Sequence, residues 1–107
     1  MRIIDNDDLE QKAYNLLGLA QRAGKLSRGM DSTAYEVKTG TAKLVILAQD
    51  ISERSRKKIL GVLENSKVPV LTVGKSENLG FILGRDKAVI VGILDEGFAR
   101  GLLKLSE

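Results

Sequence analysis

The sequence predicts an α/β fold, a three-layer α/β/α sandwich. Three observations carry this expectation: segments of helical periodicity alternate with short apolar runs, those runs lack polar alternation, and capping residues stand between the two. A strand made of uninterrupted Val, Ile and Leu is buried on both faces, so helices must cover the sheet from both sides. With 107 residues and 43% hydrophobic content, the chain is expected to form one domain over 1–107 with an ordinary core.

The elements follow in order. Leu9, Ala13, Leu16, Leu17, Ala20 and Ala23 recur at helical spacing, Asp7 with Glu10 offers a capping pair, and Gly24 supplies the stop. A second helix follows Gly29, with Ala34, Val37 and Met30 as its inward candidates, and ends at Gly40. The first strand covers 43–48. Ser52 caps a third helix reaching about residue 66, where Ile59, Val62 and Leu63 face the core and Arg54, Lys57 and Lys58 share another face. A strand at 68–73 begins near Pro69, the single proline, which a strand tolerates at its start. Ser76 caps a short helix holding Leu79, Ile82 and Leu83, a third strand covers 88–93, and Asp95 caps a last helix with Phe98, Leu102 and Leu105.

Composition narrows the function. Cysteine is absent, which excludes disulfides, thiolate metal sites and a thiol nucleophile. Histidine is absent too, which removes the commonest general base near neutral pH and the commonest metal ligand. Apolar runs such as 44–48 fall far short of the roughly 20 residues that cross a bilayer. The start MRIIDNDDLEQK is acidic, unlike a secretory signal, so a cytoplasmic location without membrane association is expected. A net charge of +3 permits a polyanionic partner.

Two patterns resemble chemistry that the rest of the sequence does not support. Gly74, Lys75 and Ser76 reproduce the end of a phosphate-binding loop, but Pro69 stands where its first glycine belongs, so Ser76 is better read as a helix cap. The carboxylate pairs Asp7 with Asp8 and Asp95 with Glu96 lie at helix starts, where each charge gains about 0.3–1 kcal/mol from the macrodipole. The expectation is a chain that is not an enzyme, with no catalytic residue, metal site, cofactor or small-molecule substrate. Two basic clusters remain, Arg54 to Lys58 and Arg22 with Lys25 and Arg28, and together they suit a phosphate backbone. The only aromatics are Tyr14, Tyr35, Phe81 and Phe98, too few for the stacking surfaces that hold single-stranded RNA, so folded RNA fits better.

The stretch RGMDSTAYEVKTGTAKLVILAQD closely resembles the superfamily of archaeal L-seven-Ae and eukaryotic L-thirty-e ribosomal proteins, which bind kink-turn RNA. Gly29, Gly40, the AKLV of 42–45, Ala48 and Asp50 match its pattern without a gap, and VPVLTV and Leu79-Gly80 extend the match. LGLAQRAGKLSRG and DEGFARGLL are similar to the bacterial YlxQ-type branch. The resemblance implies the same sandwich around a small mixed sheet, and non-catalytic binding of a structured ribosomal or regulatory RNA by a monomer. It implies that Gly29, Met30, Asp31, Ser32 and Tyr35 enter the RNA groove and that Gly84, Arg85, Asp86, Lys87 and Ala88 cover an extruded base, while the two basic clusters offer Arg22, Lys25, Arg28, Arg54 and Lys57 as phosphate contacts. Three positions depart from the pattern: Asp31, Ser32 and Tyr35 stand where the family has Asn, Glu and Lys. Asp31 accepts hydrogen bonds but cannot donate as Asn does, and Tyr35 replaces a cation with a hydroxyl and a ring. The alternative is a protein-interaction module that keeps the fold and has lost kink-turn recognition.

Overall fold

In the computed structural model, which describes residues 2–107, the chain runs β1 (Arg2–Ile4), α1 (Asp7–Arg22), β2 (Leu26–Arg28), α2 (Met30–Thr39) and β3 (Leu44–Leu47). It continues through α3 (Glu53–Leu63), β4 (Val70–Val73), α4 (Ser76–Ile82), β5 (Ile90–Ile93) and α5 (Glu96–Leu105). The three expected strands are β3, β4 and β5, each shorter than its apolar run. Two more strands, β1 and β2, form the edges of the sheet, whose order is β1-β4-β3-β5-β2. Three residues of extended chain, one followed at once by Asp5 and the other reading Leu-Ser-Arg, carry too little pattern to be read as strands.

The sheet is mixed: β1, β4 and β3 are parallel, whereas β5 is antiparallel to both β3 and β2. Strand alternation divides the core in two. Leu44 and Ile46 of β3 pack with Ala13, Leu17, Leu79 and Leu102 of α1, α4 and α5. Val45 and Leu47 point the other way, onto Val37 of α2 and Ile59 and Leu63 of α3. All four β3 side chains are buried, and each contributes roughly 1.5–3 kcal/mol against exposure. The three-layer sandwich expected from the apolar runs is therefore the observed fold. None of its helices, among the described residues, is long and apolar enough to cross a membrane.

Helix starts confirm two expected caps and correct two. Ser52 accepts the Ser55 amide at 3.2 Å and Asp95 accepts the Phe98 amide at 3.0 Å. For α1 the cap is Asn6, which accepts the Asp8 and Leu9 amides at 2.9 and 3.2 Å; Asp7 sits inside the first turn, where its charge favours the dipole. Ser76 is likewise inside α4 and caps nothing. Its amide donates to Asp50 Oδ1 at 2.8 Å and its hydroxyl to Asp50 Oδ2 at 2.7 Å. Asp50 follows β3, and the parallel pairing of β3 with β4 brings it beside the start of α4. The two hydrogen bonds, from the Ser76 hydroxyl first and its amide second, hold the Asp50 carboxyl below its ordinary range.

Register fixes which loops meet. Leu47 pairs with Thr72 and with Ile90, and Arg28 pairs with Val91. The chain therefore leaves β2, β3 and β4 and enters β5 on one rim of the sheet, called the upper rim below. The starts of α2, α3 and α4 and the loop between α4 and β5 all gather there.

Candidate nucleic-acid interface

A groove of about 560 Å³ opens on the upper rim between two walls. The first wall is the passage from β2 into α2. Gly29 makes this turn with φ 93° and ψ 166°, a conformation almost confined to glycine, while its amide donates to Ile90 O at 2.9 Å. No side chain caps the α2 start that follows. One turn on, Thr33 is fully buried and its hydroxyl has no partner. Ser27 Oγ donates to Glu36 Oε1, and this pair spans Gly92 of β5, where a Cβ would come within 2.6 Å of Ser27 Oγ.

The second wall is the loop between α4 and β5, fastened to its own helix. The Arg85 amide donates to Gly80 O at 2.7 Å, the Gly84 amide to Phe81 O at 3.2 Å, and the Ala88 amide to Ser76 O at 3.0 Å. Gly80 permits this close crossing: a Cβ there would lie 2.6 Å from Lys87 Cα and 2.8 Å from the Asp86 carbonyl carbon. Arg28 joins the walls by donating from Nη1 to Leu83 O at 3.2 Å. The groove lining includes Arg28, Arg85 and Lys87 as cations and Glu36 as its carboxylate, which is engaged by Ser27. A concave surface with this excess of positive charge raises the local concentration of an anionic partner.

The structure brings six of the residues expected at the site into one lining: Arg28, Gly29, Ser32, Arg85, Lys87 and Ala88. Gly84 and Asp86 line a neighbouring concavity with Phe81 and Arg85. Asp31 and Tyr35 are exposed on α2 outside the groove lining, Tyr35 at 68%. Met30 is half-buried against the α2 and α3 core. Arg54 and Lys57 are exposed on the first two turns of α3, also outside the lining.

Arg22 and Lys25 lie outside the groove lining that holds Arg28. Strand β2 lies between, and the Lys25 carbonyl is held on the opposite rim by the Leu94 amide at 2.9 Å. At about 3.3 Å per residue, Lys25 stands roughly 13 Å from Gly29 along the sheet edge. Residues 26–28 form strand β2, whose extended backbone separates these charges. Sequence reasoning also missed Ser27, Glu36, Val89 and Ile90 in the lining. A signal existed in Gly92, a glycine inside an apolar strand, which marks a close approach by other groups. Among the described residues no group of three or more acidic side chains could hold a metal ion.

Comparison with known proteins agrees with this architecture. The chain is 36% identical over 102 residues to an RNA-binding protein YlxQ of Enterococcus faecium, covering 95% of this chain and 98% of that protein. It is 38% identical over 92 residues to RNA-binding protein YlxQ of Bacillus subtilis (strain 168), covering 86% and 92%. A Giardia lamblia 15.5kD RNA binding protein has the same fold, with a TM-score of 0.79 at 21% identity, covering 96% of this chain and 88% of that one. Residues 11–103 match the family described as Ribosomal protein L7Ae/L30e/S12e/Gadd45 family. The chain belongs to that family.

Proposed function

We propose that this protein binds structured RNA without catalysis, acting as one RNA-binding domain and as a monomer in the cytoplasm. The RNA is a kink-turn or a related ribosomal or regulatory element, seated between the start of α2 and the loop from α4 to β5. One observation carries this reading: the two segments that the family resemblance assigns to RNA meet across a single groove with three cations. The relatives named above are RNA-binding proteins, which supports the same class of partner. Arg28, Arg85 and Lys87 meet phosphate, and Gly29 with the uncapped α2 start offers close backbone approach. Ser32 faces the groove, while Asp31 and Tyr35 flank it.

The test is a titration of kinked and unkinked RNA duplexes of equal length at two salt concentrations. Tight, salt-sensitive binding is expected, and the double variant Arg85→Ala with Lys87→Ala should weaken both complexes alike. Its logarithmic salt slope should flatten by roughly 0.9 per lost phosphate contact, the value for a B-form duplex. Asp31→Asn with Ser32→Glu should raise the preference for the kinked duplex, since one good base contact is worth about 1–3 kcal/mol. The family departures at Asp31, Ser32 and Tyr35 favour one second reading, a protein-interaction module on the same fold. Absence of binding to either duplex at low salt would select that reading.

A further inference from the structure

Phe81 is 84% exposed, the most exposed large hydrophobic side chain among the described residues. Nothing in the fold accounts for this exposure, because α4 covers the sheet with Leu79 and Leu83, which are buried on its opposite face. The ring has polar groups among its neighbours. On one side it borders a concavity of about 520 Å³ with Gly84, Arg85 and Asp86. On the other it borders one of about 390 Å³ with Gln11, Tyr14, Asn78 and Ile82. An aromatic face flanked by a guanidinium and by side-chain amides suits a nucleobase: the ring stacks on its π-face, the amides reach its edge, and the cation meets its phosphate.

Position links this surface to the groove. Arg85 lines both the groove and the concavity beside Phe81. The loop that carries Arg85 is fastened to α4 by the Gly84 amide on Phe81 O and the Arg85 amide on Gly80 O, so the backbone positions that carry the ring and the guanidinium are held together. A strand leaving the groove over Arg85 passes into the concavity that Phe81 borders. We propose that Phe81 is a stacking platform for a single unpaired base of the RNA, outside the groove and continuous with it through Arg85. This rests on the proposal that RNA occupies the groove. One aromatic holds one base, which agrees with a chain too poor in aromatics for a longer single-stranded tract.

The test compares two RNAs that share one duplex, the first flush-ended and the second carrying a short unpaired extension on the strand that passes Arg85, with the extension tried at either end. Wild type should prefer the extended RNA, and Phe81→Ala should remove that preference, a loss of roughly ten-fold, while its affinity for the flush duplex stays unchanged. Phe81→Trp should keep the preference. Because the chain has no tryptophan of its own, the introduced indole is a unique reporter, and stacking should quench its fluorescence with the extended RNA only. Circular dichroism should be unaltered, since the replaced side chain is exposed. If Phe81→Ala discriminates as wild type does, or weakens both complexes equally, the platform is wrong and RNA binding in the groove stands. If wild type binds neither RNA, the groove reading falls and the platform with it.

Discussion

Two helices begin on the upper rim shortly after a glycine of positive φ, α4 beyond Gly74 and α2 beyond Gly29, and their starts are chemically opposite. At α4 the carboxylate of Asp50 takes both the amide and the hydroxyl of Ser76. At α2 no side chain caps the helix, and its first turn borders a basic groove. A helix start closed by the chain's own carboxylate belongs to the fold, because the anion that its dipole favours is already present. A start left open beside cations suits an anion from a partner. In the sequence, Gly-Lys-Ser at the closed start resembles only the end of a phosphate-binding loop, whereas Arg-Gly-Met-Asp-Ser at the open start belongs to the stretch that resembles the RNA-binding family.

The largest effect is expected from collapsing the wall that faces the open start. Gly80→Ala places a Cβ against backbone atoms of Asp86 and Lys87, which cannot swing aside as a side chain would. Overpacking of this kind costs about 1–3 kcal/mol, and here it must also lift the loop from α4. A lower urea midpoint together with weakened RNA binding is the expected result. An unchanged midpoint with unchanged RNA affinity would show that the loop needs no contact with α4 to form the groove.

A smaller effect should follow from opening the closed start. Asp50→Ala removes both acceptors from Ser76, and the loss of a capping side chain costs roughly 0.5–2 kcal/mol. Asp50→Asn keeps one acceptor and should lose less. RNA affinity should be unaffected by either change, because Asp50 is not part of the groove lining. A variant of normal stability with impaired RNA binding would mean that the two helix starts do not divide between fold and partner as described.

This contrast also explains what the sequence could and could not reveal. The β3, β4 and β5 runs are legible because burial on both faces removes polar residues from whole strands, and the helices are legible because one apolar stripe repeats. Edge strands β1 and β2 are three residues each and half-exposed or exposed at most positions, so neither signal reaches them. The caps at Ser52 and Asp95 are local, three residues from the amides they satisfy. The cap on α4 comes from Asp50, 26 residues away, and only strand pairing brings it there. The candidate site was legible as two segments, since Gly29 matches the family pattern and the loop at 84–88 is placed by its position within the same resemblance. Its missing members, Ser27 and Glu36, belong to the groove through a contact across Gly92 that no spacing announces.

The smallest expected effect is the acid dependence of the closed start. The Asp50 carboxyl is held below its ordinary value of 3.8 by the Ser76 hydroxyl and then by the Ser76 amide. The folded state therefore favours the ionised form more than the unfolded chain does. Such a group stabilises the fold fully above its unfolded value and loses that contribution as pH falls through the lower, folded one. The difference in urea midpoint between wild type and Asp50→Ala should be level from neutral pH down to about pH 5, then shrink as pH drops below about 4. Every other carboxylate is common to both proteins, so the difference isolates Asp50. The change is small because Asp50 is exposed and solvent screens its charge. A difference that holds its full size through the acid range would mean that Asp50 acts at α4 through a hydrogen bond indifferent to its ionisation, and the contrast with α2 would then rest on shape rather than charge.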